Sequence, residues 1–158
     1  MPKPLEGIRE IRINPIVPSE SVLVATARSM RPKQRELPAP RDTRKHVAEC
    51  PFCRGNEQQT PKEIHSYTLP GESDWAIRIV ENLYPVLGDQ HQQPNLNLGL
   101  QQIIDGYGRH EVIVDHHQHG IAIHEMAVEH LALLFSSYQQ RMRQLYKANQ
   151  RLRYVLVF

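Results

Sequence analysis

The stretch Glu49-Cys-Pro-Phe-Cys-Arg-Gly-Asn-Glu57 contains both cysteines of the 158-residue chain. Two residues separate Cys50 from Cys53, the spacing at which a tight turn lets both sulfurs meet one tetrahedral ion at about 2.3 Å. Zinc takes four ligands, so a site built here also needs histidine or carboxylate ligands. The candidates lie at and just beyond a predicted strand and are His110, His116, His117 and His119.

Two other interpretations of the cysteine pair are open, a redox dithiol and a buried pair without chemistry. A thioredoxin-like dithiol lies between a strand and a helix start, whereas here a proline-rich loop precedes the pair and Arg54-Gly55-Asn56 follows it. The spacing therefore favours metal binding over redox chemistry. Each histidine, taken singly, is more typical of a solvated loop residue than of a ligand.

Segments with a β pattern lie on both sides of the cysteine stretch. Ile8–Ile13 and Ser21–Ala25 flank prolines and polar turn residues, and together they predict a hairpin. Trp75–Val80 and Glu111–Asp115 predict two further strands, and Tyr154–Phe158 predicts a buried strand. The chain therefore contains the elements of a mainly antiparallel sheet.

The remaining segments predict two loops and one helix. Thr26–Glu49 and the stretch from about Gly88 to Gln102 are rich in proline or polar residues, which is typical of irregular loops. From Glu125 to about Arg151 apolar residues recur at the spacing of one helix face, so we expect one long amphipathic helix packed on the sheet. The apolar stripe is Val128, Leu131, Leu134, Phe135, Tyr138, Met142 and Leu145.

The fold class that follows is α+β, a mainly antiparallel sheet with one long amphipathic helix across it. At 158 residues the chain is long enough for one domain with a hydrophobic core and too short for two comfortable ones. The chain ends inside a predicted strand, and a terminal strand leaves its next connection unmade. This indicates that the chain is half of a larger protein.

The composition excludes some classes of protein. No apolar run near the start resembles a signal peptide, and no segment of about 18 apolar residues predicts a membrane span, so we expect a cytoplasmic protein without membrane partners. The net charge of +2 is too small to indicate a nucleic-acid surface. One stretch is basic enough to meet phosphates or simply to be solvated: Arg28, Arg31, Lys33, Arg35, Arg41, Arg44 and Lys45.

Several motifs in a fixed order resemble those of galactose-1-phosphate uridylyltransferases, members of the histidine-triad superfamily. The resemblance covers essentially the whole chain and implies a histidine-triad-like, amino-terminal domain over residues 1–158. The matching motifs are Arg28 and Arg31-Pro32, Glu49 through Glu57 with Thr60-Pro61, Trp75 through Asn82-Leu-Tyr-Pro85, and Gly108-Arg-His-Glu-Val-Ile-Val114 ending at His119.

For the metal, the resemblance implies that Cys50, Cys53 and His119 are three ligands of a zinc ion. Members of the family usually have a Ser-Pro-acid-like sequence before the last of these ligands, whereas here it is His116-His117-Gln118. This departure leaves open which of the three histidines meets the metal.

For the nucleotide, the resemblance implies that Arg28 and Arg31 lie near the phosphates and that Asn82 makes a polar contact. Arginine offers a planar fork for phosphate oxygens, which agrees with that role. A turn residue that ends a strand is the alternative, less favoured interpretation of Asn82. The residues implied to line the uracil pocket are Phe52, Val80 and Val112.

The implied activity is that of a UDP-glucose–hexose-1-phosphate uridylyltransferase of galactose metabolism, acting on UDP-hexose and hexose 1-phosphate. An imidazole attacks the α-phosphorus, a uridylyl-histidine forms, and a second hexose 1-phosphate takes the uridylyl group. Zinc, held away from the reacting atoms, orders the fold.

The family's nucleophile belongs to a His-Pro-His-x-Gln motif that follows the strand matching Tyr154–Phe158, and no such motif occurs among the 158 residues. Its first histidine supplies the fourth zinc ligand and its second attacks the phosphate. We therefore assign no catalytic residue and predict that this chain, apparently truncated at its carboxyl end, does not complete the cycle alone. Dimers are common in the family, and a partner subunit can complete the site.

Two rival functions follow from the same residues. A zinc-knuckle module that holds nucleic acid or an acidic partner through the basic stretch predicts steeply salt-dependent binding to polynucleotides. An ADP-sugar phosphorylase of the same superfamily predicts a preference for ADP-glucose over UDP-glucose.

Overall fold

The computed structural model describes residues 1–32, 42–90 and 94–158. The chain divides into two compact units, one formed mainly by Pro40–Val80 and Ile113–Phe158, the other by Pro2–Ala39 and Glu81–Val112. Among the described helices, none combines the length and the apolar character needed to cross a bilayer. The α+β class is confirmed, but the strands form two sheets rather than one.

The four-stranded sheet belongs to the second unit and contains β1, Arg9–Ile13; β2, Ser21–Ala25; β5, Leu96–Leu98; and β6, Gln101–Asp105. The strand order in this sheet is β2-β1-β6-β5. All its pairings are antiparallel, and Ile11 faces Leu23 on one side and Ile104 on the other. The predicted hairpin is confirmed, and the Asn14 side-chain oxygen accepts the N–H groups of Ile16 and Val17 at 2.9 and 3.3 Å to fix its turn. The two strands of the hairpin are β1 and β2.

The three-stranded sheet has the order β3-β4-β7, with β3 over Glu63–Tyr67, β4 over Ile77–Glu81 and β7 over Glu111–Val114. The central strand β4 is buried over its first four residues, as expected of a strand covered on both faces. The helix α1, Val128–Ala148, supplies Leu134 to the core that the sheet residues form. This core belongs to the first unit, and its buried residues are Tyr67, Ile77, Ile79, Met126 and Leu134.

The predicted helix is confirmed, but its predicted buried face is wrong in part. Val128 and Phe135 are 76% and 61% exposed, whereas Leu134 is 1% exposed. The buried face is rotated toward His130 and Ser137, which the apolar pattern could not identify. Both are satisfied by hydrogen bonds, His130 Nε2 with the Asp115 carbonyl at 2.7 Å and Ser137 Oγ with the Leu134 carbonyl at 2.7 Å, so their burial costs little.

Three further predictions need correction. The loop predicted from about Gly88 to Gln102 contains β5 and the start of β6. The strand predicted at Tyr154–Phe158 is wrong, because in the described chain these residues belong to no strand and the Tyr154, Leu156 and Phe158 side chains are exposed. β propensity does not form a strand unless another strand supplies the ladder. The loop predicted from residue 26 to 49 begins with a 3₁₀ turn at Thr26–Met30, and its basic residues Lys33, Arg35 and Arg41 lie outside the described residues.

Candidate functional site

The two cysteines and one histidine converge in the first unit. The ligand atoms of Cys50, Cys53 and His119 all lie within 4.8 Å of one another, and Cys53 Sγ is 3.6 Å from His119 Nδ1. Cys53 is 2% exposed, and the other two residues are half-buried. This group could hold a metal ion, and two thiolates with an imidazole are the donor set that suits tetrahedral zinc.

A tight turn brings the two sulfurs together. The Cys53 N–H donates to the Cys50 carbonyl at 3.3 Å, and the Asn56 N–H donates to the Cys53 carbonyl at 3.1 Å. The Asn56 side chain then donates to the carbonyls of Val47 and Cys50 at 3.0 and 2.8 Å. Gly55, at φ +97°, takes the left-handed conformation that reverses the chain after the second cysteine.

Glu57 fixes the far end of this turn. Its carboxylate accepts the Gly55 N–H at 2.9 Å and the Trp75 indole N–H at 2.8 Å. Burial opposes ionisation, but these donated hydrogen bonds and the nearby Arg78 outweigh it and lower the pKa of Glu57. The turn is therefore tied to strand β4, where the buried Arg78 donates to the Glu57 carbonyl at 3.5 Å.

The histidine segment is fixed independently by the backbone. The His119 N–H donates to the Lys45 carbonyl at 2.9 Å, and the Arg54 N–H donates to the His117 carbonyl at 3.2 Å. The second bond joins the segment directly to the cysteine turn. The geometry therefore brings His119, out of the candidate histidines, to the two sulfurs.

His116 and His117 belong to a different cluster. Their rings stack at 4.5 Å, and the His116 ring is also 4.5 Å from the ring of His130. His116 Nδ1 accepts the Gln118 N–H at 3.0 Å. Burial, with the neighbouring His130 and His117, lowers the pKa of His116 to about 4, so this ring is neutral at pH 7.

His110, the remaining candidate ligand, lies in the second unit and makes contacts of another kind. The Val86 N–H donates to its Nδ1 at 3.1 Å, and its Nε2 lies 3.2 Å from the Asn82 amide nitrogen. Its carbonyl accepts the Asn82 N–H at 3.2 Å. The prediction of His110 as a candidate metal ligand is corrected by these contacts, because the turn after strand β4 engages both ring nitrogens.

The same turn receives Arg28. The Asn82 side-chain oxygen accepts the Tyr84 N–H at 2.8 Å, which forms an Asx turn, and the Tyr84 carbonyl accepts Arg28 Nη1 at 3.1 Å. The turn role considered for Asn82 is thus observed. Burial and then the charges of Arg28 and Arg31 lower the pKa of His110. Both arginines therefore lie near the turn, and Arg31 is exposed.

The residues predicted to line a base pocket differ in exposure. Phe52 is 43% exposed, Val80 is 1% exposed and Val112 is half-buried. Phe52 and Val80 belong to the first unit and Val112 to the second. Their role in binding a base stays a prediction.

The redox interpretation of the cysteine pair is disfavoured by the environment of Cys53. Burial raises the pKa of the Cys53 thiol, and the neighbouring Cys50 raises it further. Redox-active cysteines have the opposite property, a lowered pKa that exposes a thiolate to the oxidant. Metal binding does not need a lowered thiol pKa in the metal-free chain, because a bound cation itself stabilises the thiolate.

The fold is similar to that of uridylyltransferases and of proteins like galactose-1-phosphate uridylyltransferase (GalT). In particular, the chain is 28% identical over 154 residues to ADP-glucose phosphorylase from Arabidopsis thaliana. The alignment covers 94% of this chain and 42% of that relative. The chain thus spans less than half the length of this curated relative. No family model matches the chain.

Solved structures agree on the fold. The match to a uridylyltransferase structure covers 89% of this chain and 37% of that protein, with 22% identity and a TM-score of 0.58. The match to the structure of a GalT-like protein from Arabidopsis thaliana covers 66% of this chain and 32% of that protein, with 25% identity and a TM-score of 0.50. The resemblance to GalT-like proteins of the histidine-triad superfamily, inferred from the motifs, is confirmed.

Sequence reasoning missed two residues that organise these sites. Asp42 lies beside His119, with Oδ2 3.6 Å from Nε2, and no spacing in the sequence links the two. His110 was considered only as a metal ligand, although it lies in the same Gly108–Val114 motif as the predicted strand. A histidine directly before a predicted strand and far in sequence from both cysteines was the available signal.

Proposed function

We propose that this chain is the nucleotide-sugar-binding part of a nucleotidyltransferase, with a structural zinc ion held by Cys50, Cys53 and His119. The observation that carries the proposal is the network in the second unit, in which Arg28 is held by the turn after β4 with a second arginine nearby. Two guanidinium groups near one turn favour a diphosphate.

The arginines are arranged for an anionic ligand. Arg28 is half-buried and, within the described residues, donates one hydrogen bond to the Tyr84 carbonyl; the guanidinium has further N–H groups that can donate to phosphate oxygens. His110 is kept neutral beside them, so the turn adds no further charge. In a nucleotidyl transfer, such donors stabilise charge on the transferring phosphate.

Zinc in this proposal stabilises the fold. Bound to the two thiolates and the imidazole, it would cross-link the cysteine turn to the His119 segment and supply folding free energy. The protein residues do the rest: Asn56 and Gly55 set the turn, and the Lys45 carbonyl orients the His119 backbone.

The substrate class has two candidates. The motifs favour UDP-hexose, with transfer of the uridylyl group between hexose 1-phosphates in the whole protein. The relative named ADP-glucose phosphorylase, matched over 94% of the chain, favours an ADP-sugar as the second candidate. The two candidates share the diphosphate and the sugar and differ in the base.

Calorimetric titration of the zinc-loaded chain with UDP-glucose and with ADP-glucose tests the proposal. We expect measurable binding of at least one ligand and a loss of about tenfold or more for Arg28→Gln, because a charge-assisted contact to phosphate is removed. Arg143→Gln, at an exposed position on α1, is the matched control and should bind as the wild type does. Absence of binding to both ligands would refute the proposal.

A polynucleotide arm of the same experiment separates the zinc-knuckle alternative. Binding to single-stranded RNA that weakens steeply with salt, together with no response to nucleotide sugars, would favour that alternative. Incubation with labelled UDP-glucose tests the prediction that the chain does not complete the cycle alone, since stable covalent label on the chain would contradict it.

A further inference from the structure

The segment Asp42–Lys45 lies against the proposed metal ligand His119 at two levels. The backbone level is the hydrogen bond from the His119 N–H to the Lys45 carbonyl, 2.9 Å long. The side-chain level is the carboxylate of Asp42, whose Oδ2 is 3.6 Å from His119 Nε2. The segment therefore constrains both the position and the ring of this histidine.

The two ring nitrogens of His119 face different partners. Nδ1 lies 3.6 Å from the Cys53 sulfur, on the side of the metal-binding group. Nε2 points to Asp42 instead. A neutral imidazole carries one proton, so a ring whose proton is held on Nε2 presents a lone pair from Nδ1 to a metal. A carboxylate is the partner that favours this tautomer.

Asp42 is itself held by several hydrogen bonds from Arg44. Arg44 donates to it from its backbone N–H at 3.1 Å and from Nε at 2.9 and 3.0 Å, and its Nη2 is 2.5 Å from Oδ2. These hydrogen bonds from Arg44 hold the pKa of Asp42 well below its usual range. Arg44 therefore orients the carboxylate whose Oδ2 faces His119 Nε2.

The backbone keeps the two segments in close approach. Gly120 has a φ of +70°, and a Cβ built there would lie 2.4 Å from the Asp42 carbonyl oxygen. Only glycine fits this contact, since a side chain would push the Asp42 segment away from His119. Two independent features, the glycine contact and the arginine clamp, thus place one carboxylate beside one ring nitrogen.

We propose that Asp42 is a positioning residue for the metal site, whose carboxylate accepts the Nε2 proton of His119 and so directs the Nδ1 lone pair toward the sulfurs of Cys50 and Cys53. The inference rests on the proposed metal site. Asp42 acts through His119 and is not itself among the three residues that could hold the ion. Carboxylate partners of this kind raise metal affinity by about 10- to 100-fold.

Competition between the chain and a chromophoric chelator for zinc tests the proposal. We expect Asp42→Ala to bind zinc about 10- to 100-fold more weakly than the wild type, and Asp42→Asn, which keeps a neutral acceptor, to lie between them. Glu49→Gln is the matched control: it removes a negative charge beside Cys50, at an exposed position near Arg44, and leaves the contacts of His119 intact.

The control separates positioning from a general loss of negative charge near a cation. If Glu49→Gln weakens zinc binding as much as Asp42→Ala, or if Asp42→Ala binds within about twofold of the wild type, the proposal is overturned. Should Asp42→Ala fail to fold by circular dichroism, the same comparison is made with Asp42→Asn.

A spectroscopic readout distinguishes this inference from the metal site on which it rests. Long-range ¹H–¹⁵N spectra of the imidazoles, recorded without metal, should show the Nε2-protonated tautomer of His119 in the wild type and a tautomer mixture in Asp42→Ala. Absence of zinc binding by the wild type would refute the metal site, whereas an unchanged tautomer in the variant would refute the role of Asp42.

Discussion

Loss of the Glu63 carboxylate should destabilise the first unit more than any substitution at a comparably exposed position. Its partner Arg78 lies on the central strand β4 with a side chain only 2% exposed, while the Glu63 side chain is 38% exposed. Arg78 Nε donates to Glu63 Oε2 at 2.5 Å, and Nη2 reaches the Glu57 carbonyl at 3.5 Å. Within the described part of the chain, Glu63→Ala thus leaves a buried guanidinium with one long hydrogen bond.

Removing one partner of a fully buried ion pair costs about 3–5 kcal/mol. Because Glu63 is partly exposed, water can reach the vacated space, and we expect Glu63→Ala to lower the free energy of unfolding by about 2–3 kcal/mol. For a chain of this size that lowers Tm by about 4–12 °C. Glu63→Gln keeps an acceptor and should cost about 1 kcal/mol.

Urea unfolding at a fixed zinc concentration measures these differences, and an Arg78→Met background is the control. Methionine removes the buried charge, so Glu63→Ala should cost at least about 1 kcal/mol less in that background than in the wild type. An equal cost in both backgrounds, or a cost of Glu63→Ala below about 0.5 kcal/mol, would refute the reasoning that the carboxylate compensates a buried charge.

Zinc at 100 times its Kd should raise the free energy of unfolding by about 2.7 kcal/mol, and Cys53→Ser should abolish the effect; equal melting temperatures with zinc and with chelator would contradict the metal site. Leu134→Ala should lower the free energy of unfolding by about 2–5 kcal/mol because the side chain is 1% exposed, whereas Phe135→Ala, at 61% exposure, should cost less than about 1 kcal/mol; urea unfolding of both variants checks the observed helix face. The pKa of His110 is lowered from 6.5 in the folded chain. Below about pH 6.5 the unfolded chain therefore takes up a proton that the folded chain does not, and the free energy of unfolding decreases as the pH decreases. His110→Gln should therefore lose less stability than the wild type between pH 7.5 and pH 5, and parallel pH profiles would contradict this assignment.

The elements with regular patterns could be predicted from the sequence, and the short or mixed ones could not. The hairpin of β1 and β2 alternates around turn residues, and the helix repeats its apolar residues at helical spacing. Strand β5 has three residues within a polar stretch, too few to show a period. The buried face predicted for the helix differs from the observed one because His130 and Ser137 are buried. Their burial depends on hydrogen bonds, which an apolar pattern does not record.

The candidate site shows the same division. The Cys50–Cys53 spacing predicts a half-site because both sulfurs lie on one turn, and the resemblance supplied His119 as the third member. Asp42 could not be found in this way, because its contact with His119 depends on two segments meeting through the backbone of Gly120. Local chemistry is legible in a sequence, whereas a contact between distant segments is a property of the folded chain.

The proposed metal site joins residues that emerge from the ribosome at different times. Cys53 and His119 are 66 positions apart, which at about 5–20 residues per second corresponds to a delay of roughly 3–13 s during synthesis. For that interval the nascent chain presents a pair of thiols without their imidazole. An ion captured early would stay weakly held and exchangeable until the second segment arrives. The helix α1, which supplies Leu134 to the core, emerges later still, so the metal site would be complete before the core of this unit is.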